Sequence, residues 1–374
     1  MLRQARRTTA AGVLVAALVA SCTADPSPSD RRHSGLTSLR LSRLPPIAQD
    51  GANAADASGA ESVLLASAEP ARAGVAVRLQ QRTASGWRTL GRSTTDGYGF
   101  AQFRAPQTSV QGRSPDLRVV SRATPRVRSS GTVTDDWRLT FSDEFAGSTL
   151  GAKWDYRALG VLSGSSRRRV SASSKEAVRV RDGTLRLQVR ADPRRKGHYL
   201  NGHIGTERAY SFRYGIAAAR IRFQRPRGTH GAFWSQSPTV NDFPGDPARA
   251  GTEIDIGEYF GDGYPRGGMA SYVYHYDKGG TNRKDGDVLP RAVSVVGSAD
   301  SFWTRFHVYS VEWSPEGYVF RIDGRVTYRT NTAVSARTQY LVLSLLSSDW
   351  ELPDLDERLL PATMEVDWVR VWQQ

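Results

Sequence analysis

Residues 251–260 read Gly-Thr-Glu-Ile-Asp-Ile-Gly-Glu-Tyr-Phe, a run in which three carboxylates alternate with β-branched residues. In a regular strand residues two apart share a face, so Glu253 and Asp255 point one way while Ile254 and Ile256 pack beneath them. Glu258 then falls on the wrong side. One extra residue at Gly257, a type free to adopt positive φ, would form a β-bulge and return Glu258 to the face of the other two acids. Taken alone, the pattern also describes an edge strand decorated with charges. If the three acids do share a row, two carboxylates roughly 5 Å apart cannot both ionise cheaply, and one keeps a raised pKa. Such a pair can cleave a glycosidic bond with retention.

The rest of the chain reads as strands. Arg3, Arg6 and Arg7 precede an apolar run over 10–20 and the sequence Val19-Ala20-Ser21-Cys22, the layout of an export signal over 1–21. Its last four residues resemble a lipobox, which implies lipid modification of Cys22 and anchoring to the outer face of a bacterial membrane. The apolar run is too short for a permanent membrane span. Residues 22–60 are rich in Pro, Ser, Ala, Asp and Arg, and are expected to form a disordered tether. Over 61–124, alternating apolar residues separated by Gly-containing turns predict a small β-sandwich resembling immunoglobulin-like accessory modules. A basic, Ser-rich linker over 125–136 leads into residues 137–374. There Asp182-Gly183 and Asp323-Gly324 mark hairpins, and about a dozen strands predict a large two-sheet sandwich with one curved, grooved face.

Net charge is +14, spread widely in arginine, which suits a solvated basic surface better than a nucleic-acid site. Cys22 is the single cysteine, so neither an intrachain disulfide nor a thiolate metal cluster can form. The six histidines lack H-E-x-x-H spacing, and no G-x-S-x-G elbow or phosphate loop is present.

The acid run E-x-D-x-x-E resembles the catalytic signature of glycoside hydrolase family 16, in the bulged form of its laminarinase-like members. Further stretches follow that family in order: Phe141 to Gly147 with Lys153-Trp154, Tyr214-Gly215 through Arg220-Ile221, Gly231 to Trp234, Phe306 to Trp313, and Val366 to Val371. The resemblance implies an all-β jelly-roll sandwich, concanavalin A-like, over 137–374. It makes Glu253 the nucleophile, Glu258 the acid/base and Asp255 the carboxyl that tunes both. Trp234 and His275 match cleft positions, and Tyr259, Trp303, Trp350 and the tyrosines of 272–276 are further candidates for stacking on sugar rings. Asp367 matches a position where members hold a structural calcium, with backbone carbonyls near Glu144 as partners. No other cofactor is expected.

Two departures bear on substrate: Thr229-His230 replaces the usual Trp-Pro pair, and Gly257 stands where Met is common. Arg266, Lys278, Arg283 and Lys284 follow the acids and could favour an anionic chain. The expectation is a monomeric, exported, endo-acting retaining β-glycosidase acting on a polysaccharide, foremost β-1,3-glucan. A β-galactan hydrolase, a transglycosylase and a silent polysaccharide-binding protein are the alternatives.

Overall fold

The structure is a computed structural model that describes residues 36–104, 116–121, 133, 137–160 and 167–374. Cys22 and the export signal lie outside the described residues, as does most of the expected linker.

Two three-stranded sheets form the small N-terminal sandwich. One orders Ser38–Ala48, Glu61–Glu69 and Phe100–Arg104; the other orders Gly86–Thr94, Ala76–Thr83 and Leu117–Ser121. Residues 38–48, expected in the tether, are thus a strand. Leu39, Leu41, Leu44 and Ile47 along it are buried, and these few apolar residues among polar neighbours are enough to seat it. Leu64, Val77, Leu79 and Val119 fill the space between the two sheets.

The large domain is a two-layer sandwich whose strands run in one continuous 16-stranded ladder. The front layer runs Asn282–Val288, Met269–Tyr276, Glu253–Tyr259, His230–Gln236, Tyr340–Leu346 and Tyr199–Gly205, each paired with the next. The back layer includes Thr184–Ala191, Ala362–Gln373, Gly215–Arg222, His307–Ser314, Gly317–Ile322 and Arg325–Thr330. Phe233, Ile254, Ile256, Val273, Leu341 and Leu343 from the front meet Ala217, Ile221, Tyr309, Val311 and Phe320 from the back. Each fully buried side chain of this size contributes roughly 1.5–3 kcal/mol, so the alternation along the acid strand fixes which face is left for the carboxylates. At Asp182-Gly183, φ values of 53° and 69° give the tight hairpin joining Arg181 to Thr184. Short helices at Pro290–Val296 and Ser301–Thr304 interrupt the strand pattern.

The outer face of the back layer is also apolar. Ile216, Ala218, Val308, Trp368 and Trp372 pack against Leu44, Ile47, Ala48, Ala57 and Val63 of the N-terminal sandwich. Arg220, almost wholly buried there, donates to the carbonyls of Gln49 (2.9 Å) and Asn53 (3.1 Å) and pairs with Asp367. The carboxylate of Asp367 also accepts from the backbone N–H of Ala55 (3.1 Å). Glu144 pairs instead with Arg370 (2.8 Å). The expected calcium does not fit these groups: each carboxylate already faces a guanidinium, whose charge repels a cation. Among the described residues no group of three or more His, Cys, Asp or Glu could hold a metal.

Candidate active site

The acid strand leaves its regular ladder between Asp255 and Glu258. Asp255 lies opposite Tyr272, and Glu258 lies opposite Ala270, so three steps on one strand match two on its neighbour. On the other side Trp234 faces Asp255 and Phe233 faces Gly257, which skips Ile256. This one-residue bulge brings Glu253, Asp255 and Glu258 to the lining of one cavity of about 420 Å³. Gly257 has no positive φ, contrary to expectation. Its value is space: a Cβ there would lie 3.1 Å from the ring of Tyr309 in the core.

Neighbouring strands supply the floor. Gln236, opposite Glu253, donates its Nε2–H to Oε2 of Glu253 at 2.9 Å. Trp234, opposite Asp255, faces the cleft with its Nε1–H on Ser344 (3.1 Å). The Arg157 guanidinium sits 5.2 Å from the Trp234 ring centroid and donates to Tyr340 Oη (3.0 Å) and Glu207 (2.8 Å). Tyr272 and Tyr274 flank the acids from the next strand, and Lys284 lies 4.3 Å from the Tyr272 ring centroid. At the far end Trp350, 57% exposed, stands beside Phe260 and His230.

Three expected cleft residues are elsewhere. Tyr259 is buried in the core against Phe223 and Phe302, because the bulge that turns Glu258 outward turns its successor inward. His275 alternates with Tyr274 and so takes the face of Val273, a core residue. It does not line the cleft; Tyr272 and Tyr274 occupy that side. Trp303 also lies away, under Arg225. Trp234 and Trp350 are where the sequence pointed. Arg157, His203, Gln236 and Glu351 had not been singled out. Gln236 was within reach of strand periodicity, two residues from Trp234 on the same face. Glu351, 93 positions beyond Glu258 by the numbering, sits on a loop with no periodic signal.

Burial raises all three acids. It acts first on Glu253, with the charge of Glu258 adding to it, and pushes that carboxyl up to about 7 against the pull of Arg157 and Gln236. Asp255, enclosed between Glu253 and Glu258, is held well above the usual range by burial and then by both neighbours. Burial also raises Glu258, opposed first by His230. His203 is kept well below its ordinary value by burial and the charge of Arg157, so it is neutral. The site can therefore hold protons on some carboxyls near neutral pH while a charged one faces substrate.

The profile of Glycosyl hydrolases family 16 matches residues 166–370. Glucan endo-1,3-beta-glucosidase A1 of Niallia circulans is 26% identical over 296 residues, 66% of this chain and 40% of that protein. This chain thus spans less than half the length of that relative. Keratan-sulfate endo-1,4-beta-galactosidase of Sphingobacterium multivorum is 25% identical over 305 residues, covering 77% of this chain and 67% of that one. Among solved structures, the laminarinase from Rhodothermus marinus superposes with a TM-score of 0.50 at 25% identity, covering 63% of this chain and 97% of its own. With a matched profile over more than half its length and the jelly-roll sandwich that carries the acid row, the chain belongs to glycosyl hydrolases family 16 and is a glycoside hydrolase.

Proposed function

We propose that the protein hydrolyses β-1,3-glucan at internal bonds with retention of configuration. The observation that carries this reading is the bulged row of Glu253, Asp255 and Glu258 in one open cleft. The similarity to a laminarinase and to a glucan endo-1,3-beta-glucosidase supports the choice of glucan. Ionised Glu253 attacks the anomeric carbon as Glu258 delivers its proton to the departing glycosidic oxygen, giving a covalent glycosyl-enzyme. Glu258, now a carboxylate, takes a proton from water, which attacks the same carbon and releases Glu253. Asp255, which burial and its two acidic neighbours keep protonated, is the acid between the pair that can donate to a charged neighbour during the reaction. Trp234 and Trp350 offer flat faces to successive sugar rings.

Glu258→Ala should lower hydrolysis of laminarin by about 10²–10⁴-fold and retain turnover of an aryl glycoside with a good leaving group. Azide should then yield the β-glycosyl azide. Glu253→Ala should form no glycosyl-enzyme and give the α-azide. Near wild-type laminarin hydrolysis by either variant refutes the assignment.

A second reading is favoured by the bases in the cleft, since Arg167, Arg168 and Lys284 line it with the acids. An anionic β-galactan would meet these cations, and the keratan-sulfate galactosidase is a relative of that kind. Such activity would fall steeply with salt, whereas cleavage of neutral laminarin would not. We also propose export with Cys22 as the lipid-modified residue.

A further inference from the structure

The cleft holds a second proton-bearing pair that the mechanism above does not use. His230 opens the strand that carries Trp234, and its Nδ1 lies 2.6 Å from Oε2 of Glu351. Both side chains are buried, and the same Glu351 oxygen accepts the backbone N–H of Ser348 at 3.0 Å, fixing the carboxylate from two directions. His230, Ala232, Trp234 and Gln236 share the cleft face of their strand, and Ala232 is the residue opposite Glu258. The small Ala232 side chain leaves the space diagonal to Glu258 to the imidazole, and both His230 and Glu258 line the cavity. The ring lies beside Trp350, its centroid 6.4 Å away and its plane tilted by 18°. With Nδ1 committed to Glu351, Nε2 is the ring's remaining polar atom, and among the described residues it makes no hydrogen bond.

We propose that His230, anchored by Glu351, is a positioning residue for Glu258, whose charge and fixed ring govern how readily that carboxyl gives its proton to the leaving sugar. This inference rests on Glu258 being the acid/base. The electrostatics agree in sign. Glu351 raises the imidazole's affinity for its proton enough to outweigh burial, and the resulting cation is the foremost influence holding Glu258 down against its own burial. Other charged groups face Glu258 from each neighbouring element. Lys284 and Arg168 act in the same direction as His230, while Glu351 itself opposes them. Glu253 and Asp255 lie on the same strand, Tyr272 on the next, and neutral His203 lines the cavity two strands beyond the one that carries His230.

The pair makes an ordered prediction for the alkaline limb of the kcat/KM profile on laminarin, the limb on which Glu258 loses its proton. Glu351→Gln leaves a neutral imidazole and removes both charges, so the limb should move up modestly. His230→Asn leaves the Glu351 carboxylate unpaired beside Glu258, so the limb should move up further, by about one pH unit or more. Below neutrality kcat should fall with KM changed little, and an aryl glycoside that needs no proton should be almost unaffected. A purely structural role would lower activity without moving the limb. The isosteric Glu351→Gln serves if His230→Asn does not fold. An alkaline limb unmoved or lowered in either folded variant overturns the proposal. The acid/base assignment fails separately, through retained laminarin hydrolysis in Glu258→Ala.

Discussion

Replacing Glu253 with glutamine should abolish turnover and at the same time make the protein more stable above neutral pH. Burial and the charge of Glu258 move the Glu253 carboxyl from an ordinary 4.5 to about 7. A folded-state pKa above the unfolded one means the folded protein holds this proton more tightly. The associated stability is complete below pH 4.5, declines through the window from 4.5 to about 7, and is absent above it. That difference of about 2.5 in pKa corresponds to about 3 kcal/mol. Partial opening of the side chain to the cleft brings the expected effect to about 2 kcal/mol. Glutamine carries no charge and keeps a carbonyl for the Gln236 amide, so the variant escapes the penalty without orphaning its partner. For the 308 described residues the unfolding entropy is about 0.65 kcal/mol/K, so the gain in Tm should be about 3 °C. Scanning calorimetry at pH 4, 6 and 8 measures it. Glu253→Gln should match wild type at pH 4 and exceed it at pH 8. Equal melting at pH 8, or the same gain at both extremes, refutes the reasoning.

Two further predictions concern parts of the chain away from the cleft. Arg220→Met strands the Asp367 carboxylate in the interface with the N-terminal sandwich, a loss of about 3–5 kcal/mol, and should lower Tm by several degrees. The deficit should shrink toward acid pH, because burial already pushes the Asp367 carboxyl up and protonation then relieves it; a chelator should leave wild-type melting unchanged, and a chelator-sensitive Tm would restore the cation. Cys22→Ala should move the protein from the membrane to the soluble fraction on cell fractionation; unchanged sedimentation with membranes would remove the lipid anchor.

The row of acids was legible because strand geometry is strict: alternation buries Ile254 and Ile256, and a spacing of two then three demands a bulge if Glu258 is to join its partners. Asp182-Gly183 and Asp323-Gly324 were legible for a similar reason, since few residue types tolerate their turns. What was missed depends on partners distant in sequence. Nothing near Gly257 announces the Tyr309 ring that leaves little room for a side chain there. Nothing near Asp367 announces that Arg220 faces it in place of a cation. His275 was placed by likeness, whereas counting residues along Met269–Tyr276 from core Val273 assigns it to the other side. The strand at Ser38–Ala48 was hidden by its composition, because its two prolines and four basic or hydroxyl residues obscure the apolar positions it buries.

The interlock on the back of the large domain makes the folding unit longer than the segment that the family profile matches. The profile match begins at residue 166, yet Arg138–Asp143 pairs with Ala362–Gln373, and Phe141, Phe145 and Trp154 belong to the same core. A fragment cut at that boundary would lose Arg138–Asp143 and Asp155–Tyr156 from the large sheet and bare Ile216, Ala218, Val308, Trp368 and Trp372 to water, a contiguous apolar patch of the kind that drives aggregation. Gene shuffling that moved residues 166–370 alone would therefore deliver an insoluble product. A working fragment of this protein therefore has to carry the sandwich in front together with the hydrolase.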